Sequence, residues 1–342
     1  MKTSELDFSY PQELIATEPH KPSRIMWVDD AAPCEIDMSS LLAKISARDV
    51  VVVNDTKVSK RRIFAKRNNG EEFEILFVRS KESLLWEVLC PSSRLKKDEV
   101  LYLTGDLTAE IVAKGVPQVL KLSQPIDEDY FYRNGEMPLP PYIQQVRSSR
   151  HCLDDDENWY QTIFAKVPGS QAAPTASLHF KPHHLETIKN TGALLKTVTL
   201  HVGLGTFLPV TAGNLTEHIM HSEEIEVPKD TWSALSRCKE EGGKVWAIGT
   251  TVLRSLESVA KGMLIESETA FRGSSDLFIY GNYNFETADY LVTNFHQPKS
   301  TLLALVCSFA GHKDTLAAYS WAIERKFRLF SYGDMTVWRC KR

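Results

Sequence analysis

Four strand-like runs in the second half of the chain end in unusually polar sequences. These ends are residues 201–207 (HVGLGTF), 249–251 (GTT), 294–301 (NFHQPKST) and 331–334 (SYGD). Histidine transfers protons near neutral pH, threonine hydroxyls and helix-start amides hold polar groups, and glycine lets the backbone approach a ligand. Ordinary turn chemistry explains any one end, but ligands of α/β sheets bind beyond the carboxyl ends of strands. The four ends together predict one shared pocket.

The segments that position these ends alternate between strand-like and helix-like patterns from about residue 196 onward, which is typical of an α/β domain. Gly242 and Gly262 follow helical segments where a left-handed C-terminal cap is favoured, and Asp314 is placed as an N-cap. The runs are KTVTLHV, DTWSALSRCKEEGG, KVWAIG, TVLRSLESVAKG, DLFIY, YLVTNF, STLLALVCSFAG, DTLAAYSWAIERK and FRLFSY.

A different pattern fills residues 61–123, where six short strands are separated by turn signals such as Asn69-Gly70. Regular spacing of this kind predicts a small six-stranded antiparallel β-barrel. The Pro-rich sequence GEMPLPPYI follows and favours an extended connector. We therefore expect a mixed α/β domain of residues 1–60 and 150–342, interrupted by a barrel domain of residues 61–149 that includes the connector.

The composition fits a water-soluble globular protein, with 43% hydrophobic and 25% charged residues. The N-terminus lacks the apolar stretch of a signal peptide, and no window approaches the ~18 apolar residues of a membrane span. We expect a cytoplasmic protein without a membrane partner. The six cysteines stand singly, without CxxC pairs, which argues against a structural zinc site or a disulfide framework.

The net charge of -4 argues against a protein that binds nucleic acid over its whole surface. The densest basic cluster holds no acidic residue between positions 57 and 67. A charged strand edge that prevents aggregation and a local RNA-binding patch both explain it. Its members are Lys57, Lys60, Arg61, Arg62, Lys66 and Arg67.

A metal site is only weakly indicated. His218 and His221 have the spacing HxxH beside Glu217 and Glu223, but the HExxH pattern is absent and such spacing arises by chance. The chain also lacks the patterns GxGxxG, GxxxxGK[ST] and GxSxG, which argues against a dinucleotide fold, a P-loop and a nucleophile elbow. We therefore expect no metal.

Nine ordered motifs run along the chain: VNDT, GEMPLPPYI, YQTIFA, AAPTASLHF, VTLHVGLGTFLPV, EHIMHSE, GTTVLRSLES, NFHQPKSTLL and LFSYGD. At these motifs the sequence closely resembles the S-adenosylmethionine:tRNA ribosyltransferase-isomerase family of queuosine biosynthesis. The resemblance spans nearly the whole chain, and the family fold is similarly an α/β domain interrupted by a small β-barrel.

Local departures from the family pattern are Ser177 in place of a glycine, Val252-Leu253 before Arg254, Gln297 in place of an apolar residue, and Met335-Thr336 after SYGD. If residue 177 needs a positive φ, the serine introduces strain. The family usually has a serine in the pair before Arg254. If that serine contacts substrate in the family, its absence here would alter affinity or rate.

The resemblance implies transfer of the ribosyl portion of S-adenosylmethionine to 7-aminomethyl-7-deazaguanine in the tRNA anticodon. Epoxyqueuosine in tRNA would form, and adenine and methionine would be released. S-adenosylmethionine is then a substrate, with no further cofactor implied, and a monomer is expected. The sulfonium acidifies the ribose C5′ protons, so a base can start elimination of adenine. The incoming amine, with a pKa near ~10.4, must also become neutral.

His201 and His296 are the predicted proton-transfer residues, with Asp55 or Asp334 orienting a base or a ribose hydroxyl. A structural hydrogen bond explains either histidine equally well, and His179 and His221 are reserves. Arg254 and Lys299 are candidates for the methionine carboxylate, for RNA phosphate or for a protein carboxylate. Phe207 and Phe295 are candidates for base stacking or for the core. The predicted substrate-binding set is Asn54, Thr175, Gly203, Gly205, Thr206, Thr250, Thr251, Arg254, Asn294 and Lys299; the predicted RNA-binding set is Lys57, Lys60, Arg61 and Arg62.

Two other functions stay open at this point. One is a metal-dependent nucleotide hydrolase built around His218 and His221, which chelation would inactivate. The other is a non-catalytic RNA-binding module that uses the barrel and residues 57–67. The polar strand ends argue against the second.

Overall fold

The structure of the protein is a computed structural model that describes residues 1–20, 22–29, 32–91, 93–203 and 210–341. Gly205, Thr206 and Phe207 lie outside the described residues. The chain divides into two compact units. The α/β unit comprises residues 1–57, 140–149 and 159–342, and the barrel unit comprises residues 58–139 and 150–158. No helix among the described residues is long and apolar enough to cross a membrane.

The strands before the barrel are β1 (Ile25–Val28), β2 (Cys34–Ile36), β3 (Val50–Asn54) and β4 (Thr56–Val58). The barrel strands are β5 (Arg62–Lys66), β6 (Glu72–Glu82), β7 (Leu85–Leu89), β8 (Val100–Leu103), β9 (Leu107–Ala113) and β10 (Gln118–Leu122). Later strands are β11 (Val167–Ser170), β12 (Leu194–Leu200), β13 (Glu223–Pro228), β14 (Val245–Ile248), β15 (Ile265–Glu266), β16 (Ala270–Ser275), β17 (Tyr290–Asn294) and β18 (Met335–Arg339).

The α-helices are α1 (Met38–Leu42), α2 (Glu128–Asn134), α3 (Pro141–Arg147), α4 (Asp156–Trp159), α5 (Pro182–Asn190), α6 (Lys229–Glu240), α7 (Thr250–Ala260), α8 (Thr301–Ala310) and α9 (His312–Glu324). Gly242 and Gly262 have φ of 70° and 67°, so both predicted left-handed caps are confirmed. The predicted N-cap at Asp314 is wrong, because α9 begins two residues earlier with Gly311 as its N-cap. The predicted strand DLFIY is also wrong, since residues 276–280 form no strand.

A ten-stranded mixed sheet forms the centre of the α/β unit, in the order β15-β16-β13-β12-β3-β14-β17-β18-β1-β2. Strands β12, β3, β14 and β17 are parallel neighbours, so their carboxyl ends lie at one edge of the sheet. Every residue of β3 and β14 is buried, as expected for strands covered on both faces. Nine of the eleven residues of α7 are buried as well. These strands and α7 therefore form a closely packed support for the sheet edge.

Residues 331–334 reach this edge in a way that the sequence analysis did not anticipate. The run FRLFSY forms none of the extended strands, and SYGD precedes β18 instead of following a strand. Because β18 is antiparallel to β17, with Met335 opposite Asn294, the start of β18 lies where β17 ends. Residues 331–334 therefore lie beside the end of β17, as predicted, although the predicted strand FRLFSY is not formed.

The barrel unit contains a closed barrel in the order β10-β7-β6-β5-β8-β9, with antiparallel pairing throughout. Burial alternates along β6, and Phe73, Ile75 and Phe77 point into a core that also contains Phe131. Alternation of this kind is what a closed sheet with a filled interior requires. The predicted six-stranded barrel within a mixed α/β fold is confirmed.

The division into units differs from the expected domain boundaries at 58–60, 140–149 and 150–158. Residues 150–158 lie in the barrel unit, where Arg62 donates to the Arg150 carbonyl at 2.6 Å and the Cys152 amide donates to Glu136 at 2.8 Å. Residues 140–149 lie in the α/β unit, where the Tyr142 hydroxyl accepts from the Ser331 amide at 3.1 Å. Long-range hydrogen bonds therefore decide these boundaries.

Candidate active site

A cavity opens at the sheet edge where the parallel strands end, and it lies wholly within the α/β unit. No Asp, Glu, Lys or Arg is among the described residues that line it. The walls combine hydroxyl and amide groups with small apolar and aromatic side chains. The lining residues are Tyr142, Tyr160, Ala172, Ala173, Pro174, Thr175, Ala176, Val202, Gly249, Thr250, Thr251, Thr293, Asn294, Phe295, His296, Gln297, Ser300, Leu302, Phe330 and Ser331.

Five predicted site residues line this cavity: Thr175, Thr250, Thr251, Asn294 and His296. They come from the ends of β14 and β17 and from the short 3-10 helix Thr175–His179. The first residues of α7 and the Ser300 N-cap of α8 also lie in the wall, so two helix N-termini border the same space. Helix N-termini carry partial positive charge and free amides. The cavity therefore favours electron-rich ligand atoms despite having no charged wall.

Asn294 has a fixed orientation at the end of β17. Its Nδ2 donates to the Phe330 carbonyl oxygen and to His179 Nε2, each at 3.1 Å. Because a carbonyl oxygen can only accept, these contacts identify Nδ2 and Oδ1 and make His179 Nε2 an acceptor. His179 then carries its proton on Nδ1, which donates to Ser23 Oγ at 2.7 Å. Asn294 Oδ1 is buried and has no donor among the described residues.

His296 is fully enclosed in the cavity wall. Its Nε2 lies 3.1 Å from Thr293 Oγ1, and its backbone amide donates to the Tyr319 hydroxyl at 2.9 Å. Burial lowers the pKa of His296 to about 3, because no neighbouring charge offsets the loss of hydration. The imidazole is therefore neutral near pH 7, and it is a much weaker base than an ordinary histidine.

Acid should destabilise the protein through His296. Its pKa in the folded protein is below the ordinary 6.5, so the unfolded chain binds this proton first. Stability is then complete above pH 6.5 and is lost as the pH falls towards 3, at up to about 1.4 kcal/mol per pH unit. Urea unfolding at pH 6.5 and 5.0 measures the loss. His296→Leu should remove this part of it, and an equal loss in both proteins would contradict the assignment.

His201 follows β12 beside the cavity but is not among its lining residues. Its Nδ1 lies 2.8 Å from Thr56 Oγ1. The ring also packs closely on Gly169, where an added Cβ atom would lie 3.0 Å from its Cε1. Burial lowers the pKa of His201 more than the charges of Asp55 and Glu224 raise it. The ring is half-buried and neutral near pH 7. Its Nε2 has no hydrogen-bond partner in the part of the chain described, so it can accept a proton.

Asp55 and Asn54 hold the strand ends together beside His201. Asp55 accepts from Thr199 Oγ1 at 2.6 Å. Asn54 donates to the Leu200 carbonyl at 3.0 Å and to Thr251 Oγ1 at 3.2 Å, and it accepts from the Leu200 amide at 3.1 Å. Asn54 thus links the ends of β3 and β12 to the start of α7. Its geometry is that of a positioning residue.

Arg254 and Gly203 are joined by a residue that the sequence analysis did not select. Glu223 forms a buried ion pair with Arg254, and each side chain is 3% exposed. The other carboxylate oxygen of Glu223 accepts from the Gly203 amide at 2.8 Å. Arg254 also donates from Nε to the Leu277 carbonyl at 3.3 Å. We therefore do not retain Arg254 as a ligand for the methionine carboxylate.

Lys299 and Asp334 also have protein partners. Lys299 Nζ lies 2.6 Å from Asp7 Oδ2. Asp334 accepts from the backbone amides of Arg24 at 3.0 Å and Arg328 at 2.7 Å. Burial raises the pKa of Asp334, and the two amides and nearby arginines lower it less. Asp334 is 3% exposed and holds the turn before β18, which is a structural position.

Two tyrosines of the cavity wall, Tyr142 and Tyr160, are not among the predicted site residues. Tyr142 hydrogen-bonds to Ser331 Oγ, and burial raises the pKa of Tyr142 to about 12. Burial also raises the pKa of Tyr160 well above its ordinary value. Both hydroxyls therefore stay protonated at neutral pH. The resemblance of GEMPLPPYI and YQTIFA to family motifs was the available signal, since Tyr142 and Tyr160 belong to them.

The departures from the family pattern fit this fold. Ser177 is not among the described residues with positive φ, so the serine carries no backbone strain, although its buried Oγ lacks a described partner. Val252 and Leu253 are fully buried in the core. Gln297 lines the cavity. Thr336 Oγ1 donates to the Thr293 carbonyl at 3.0 Å.

The predicted RNA-binding residues differ in exposure. Lys57 is exposed on the α/β unit. In the barrel unit, Lys60 lies 2.7 Å from Glu157, and Arg61 pairs with Glu128 and lies over the Phe131 ring at 4.2 Å. Arg62 is 1% exposed and donates to Glu136 at 2.8 Å. We do not retain Arg62 in the RNA-binding set, because a buried guanidinium cannot reach phosphate.

The other candidates, His218 and Phe295, both pack on aromatic rings, and Phe295 also lines the cavity. His218 packs edge-on against Phe278 with ring centroids 5.2 Å apart, and burial lowers its pKa with a smaller contribution from His221. Phe295 is 1% exposed and packs on Tyr319 and Phe327, so most of its surface belongs to the core. Within the described ranges, no group of three or more His, Cys, Asp or Glu side chains is arranged to hold a metal ion.

Comparison with known proteins gives consistent matches along the whole chain. A family model described as "Queuosine biosynthesis protein" matches residues 3–337. Proteins named S-adenosylmethionine:tRNA ribosyltransferase-isomerase are 42% identical in Carboxydothermus hydrogenoformans and 39% identical in Thermotoga maritima, each over 98% of both chains. A crystal structure of S-adenosylmethionine tRNA ribosyltransferase from Thermotoga maritima superposes with a TM-score of 0.54 at 30% identity, covering 98% of this chain and 99% of that one.

Proposed function

The chain belongs to the queuosine biosynthesis protein family, and from this premise we propose that it transfers the ribosyl group of S-adenosylmethionine to 7-aminomethyl-7-deazaguanine in tRNA and isomerises it to epoxyqueuosine. It is an enzyme of the S-adenosylmethionine:tRNA ribosyltransferase-isomerase type. The observation that carries the proposal is the convergence of Thr250, Thr251, Asn294 and His296 on one cavity at the carboxyl edge of a parallel sheet.

The proposed reaction begins at the ribose of S-adenosylmethionine. A base removes a C5′ proton, which the adjacent sulfonium acidifies. The C5′ electron pair forms a C4′=C5′ bond, the C4′–O4′ bond breaks, and O4′ becomes a C1′ carbonyl as adenine leaves with its bonding pair and takes up a proton. The neutral amine of the deazaguanine adds to C4′ and loses a proton to the base, and the C5′ carbanion formed attacks the C1′ carbonyl to close the carbocycle. The C1′ alkoxide then displaces methionine, with its sulfur, from C5′ and closes the epoxide. The ribosyl skeleton passes to tRNA, and adenine and methionine are the two released products.

His201 is the residue that we propose as the proton acceptor. It is neutral at pH 7, its Nε2 is without a described partner, and Asp55 nearby stabilises the charge that it gains. His296 is a weaker base because of its burial, and we propose that it acts as a neutral hydrogen-bonding group. Asn54 and Glu223 position the strand ends on either side.

Recognition of tRNA is proposed to use Lys57, Lys60 and Arg61. Lys57 is exposed. The side chains of Lys60 and Arg61 are 20% and 15% exposed and pair with glutamates that are 51% and 71% exposed, so phosphate can compete with these carboxylates for the two cations. We also propose that the enzyme acts in the cytoplasm as a monomer and without a metal. Light scattering of the purified protein and activity in the presence of a chelator test the last two points.

The test of the proposed function follows both products and the modified nucleoside. Purified protein is incubated with S-adenosylmethionine and tRNA that carries the aminomethyl-deazaguanine. Equimolar adenine and methionine, together with the mass gain of an epoxyqueuosine nucleoside, are expected. tRNA that lacks the modified base is the control and should release neither product. Binding of tRNA without either product would contradict the proposal and favour an RNA-binding module.

A further inference from the structure

We propose that the uncharged cavity at the start of α7 and α8 is the subsite for the adenine ring of S-adenosylmethionine, with Asn294 Oδ1 accepting a hydrogen bond from the exocyclic amine. The inference rests on the proposed function, because it assumes that S-adenosylmethionine is bound. It assigns one part of the substrate to one set of residues. The charged methionine moiety and the tRNA phosphates are then placed elsewhere.

The described wall residues carry no charged side chain, so the cavity fits the neutral adenine end of the substrate better than its charged methionine end. S-adenosylmethionine carries a carboxylate, an ammonium and a sulfonium at its other end, and a desolvated charge needs a partner of opposite sign. None of the described wall residues supplies a full charge. Adenine is neutral and flat, and Ala172, Ala176, Val202 and Phe330 offer it apolar contact.

Asn294 supplies the specific contact. Both of its amide hydrogens are used by Phe330 and His179, so only Oδ1 remains for a ligand. Asn294 is 2% exposed, and this oxygen has no donor in the described part of the chain. A buried acceptor left unsatisfied destabilises the empty cavity, and a ligand N–H that reaches Oδ1 would remove this cost. The exocyclic amine of adenine is such a donor.

The two helix N-termini suit adenine as a leaving group. Electron density moves onto the adenine ring as its bond to the ribose breaks, and the partial positive charge of α7 and α8 stabilises that density. No described acidic residue opposes it in the wall. The deazaguanine gains no comparable charge in the reaction, and it would bring the RNA phosphates with it. Adenine is therefore the base that this cavity fits better.

Binding of free adenine and of purine, which lacks the exocyclic amine, tests the contact without any turnover. Isothermal titration of the full chain should show adenine binding on the order of tenfold more tightly than purine. In Asn294→Ala this ratio should fall to near one. Asn190→Ala changes an exposed asparagine at the end of α5 and is the matched control, which should keep the wild-type ratio.

A second variant keeps the test decisive if Asn294→Ala fails to fold. Thr175 lines the cavity and is half-buried, so Thr175→Leu narrows the space with little effect on the core. Thr175→Leu should weaken adenine and purine equally, by about tenfold, because the larger side chain displaces the purine ring that both ligands share. Thr187→Leu, on the exposed face of α5, should leave both affinities unchanged.

Three results would overturn the proposal: no adenine binding to the wild-type protein, a tenfold ratio that persists in folded Asn294→Ala, or competition with adenine by 7-aminomethyl-7-deazaguanine. The transfer assay separates this outcome from the fate of the proposed function. Transfer without adenine binding would remove the subsite and leave the function standing. Adenine binding with the expected ratio but without transfer would remove the function alone.

Discussion

Replacing His201 with alanine should lower turnover on the order of 10²-fold or more while the protein stays folded. The reason is that His201 is the predicted proton acceptor that is both neutral at pH 7 and has an available ring nitrogen. Its ring is half-buried beside Gly169, so its removal leaves little strain. Single-turnover kinetics with S-adenosylmethionine and modified tRNA measure the chemical step, and circular dichroism checks the fold.

A pH profile distinguishes proton transfer from packing at His201. Wild-type kcat/KM should decrease as the pH falls through a pKa below the ordinary 6.5, because protonation removes the base. In His201→Ala this acidic limb should disappear. His312→Ala is the control, because His312 is half-buried, is not among the residues that line the cavity, and donates to the Glu5 carbonyl at 2.8 Å. Near-normal turnover of His201→Ala would exclude it as the base.

Replacing Arg254 with methionine should reduce the free energy of unfolding by about 3–5 kcal/mol. Arg254 and Glu223 are both 3% exposed, so the change leaves a buried carboxylate without its cation. The Gly203 amide that donates to Glu223 is uncharged and does not replace the cation. Urea unfolding, followed by tryptophan fluorescence to which the buried Trp246 of the same unit contributes, measures the loss.

The double variant Arg254→Met, Glu223→Gln tests whether the loss comes from an unpaired charge. Glutamine is neutral and keeps an acceptor for Gly203, so the double variant should recover most of the stability that Arg254→Met loses. Lys196→Met, which breaks the exposed pair with Asp230, is the control and should cost about 1 kcal/mol or less. A small effect of Arg254→Met would contradict the buried-pair interpretation.

The family resemblance and the sequence patterns predicted much of the candidate site. Thr250, Thr251, Asn294 and His296 follow strands that lie side by side and parallel, so their convergence was expected from the fold class alone. The sequence did not predict which polar atoms of those residues are free to bind a ligand. Asn294 shows the difference, because its two amide hydrogens are used by Phe330 and His179, which lie 36 and 115 residues away.

The sequence by itself determined the six-stranded barrel, the α/β class and the residues that meet at the sheet edge. Periodicity along the chain specifies strands and helices, and parallel strands place their carboxyl ends together. Only the tertiary structure decided which polar groups are available. Arg254 is neutralised by Glu223, Arg62 is buried against Glu136, and residues 331–334 reach the edge by preceding an antiparallel strand. Burial and pairing depend on partners distant in sequence, which local patterns do not specify.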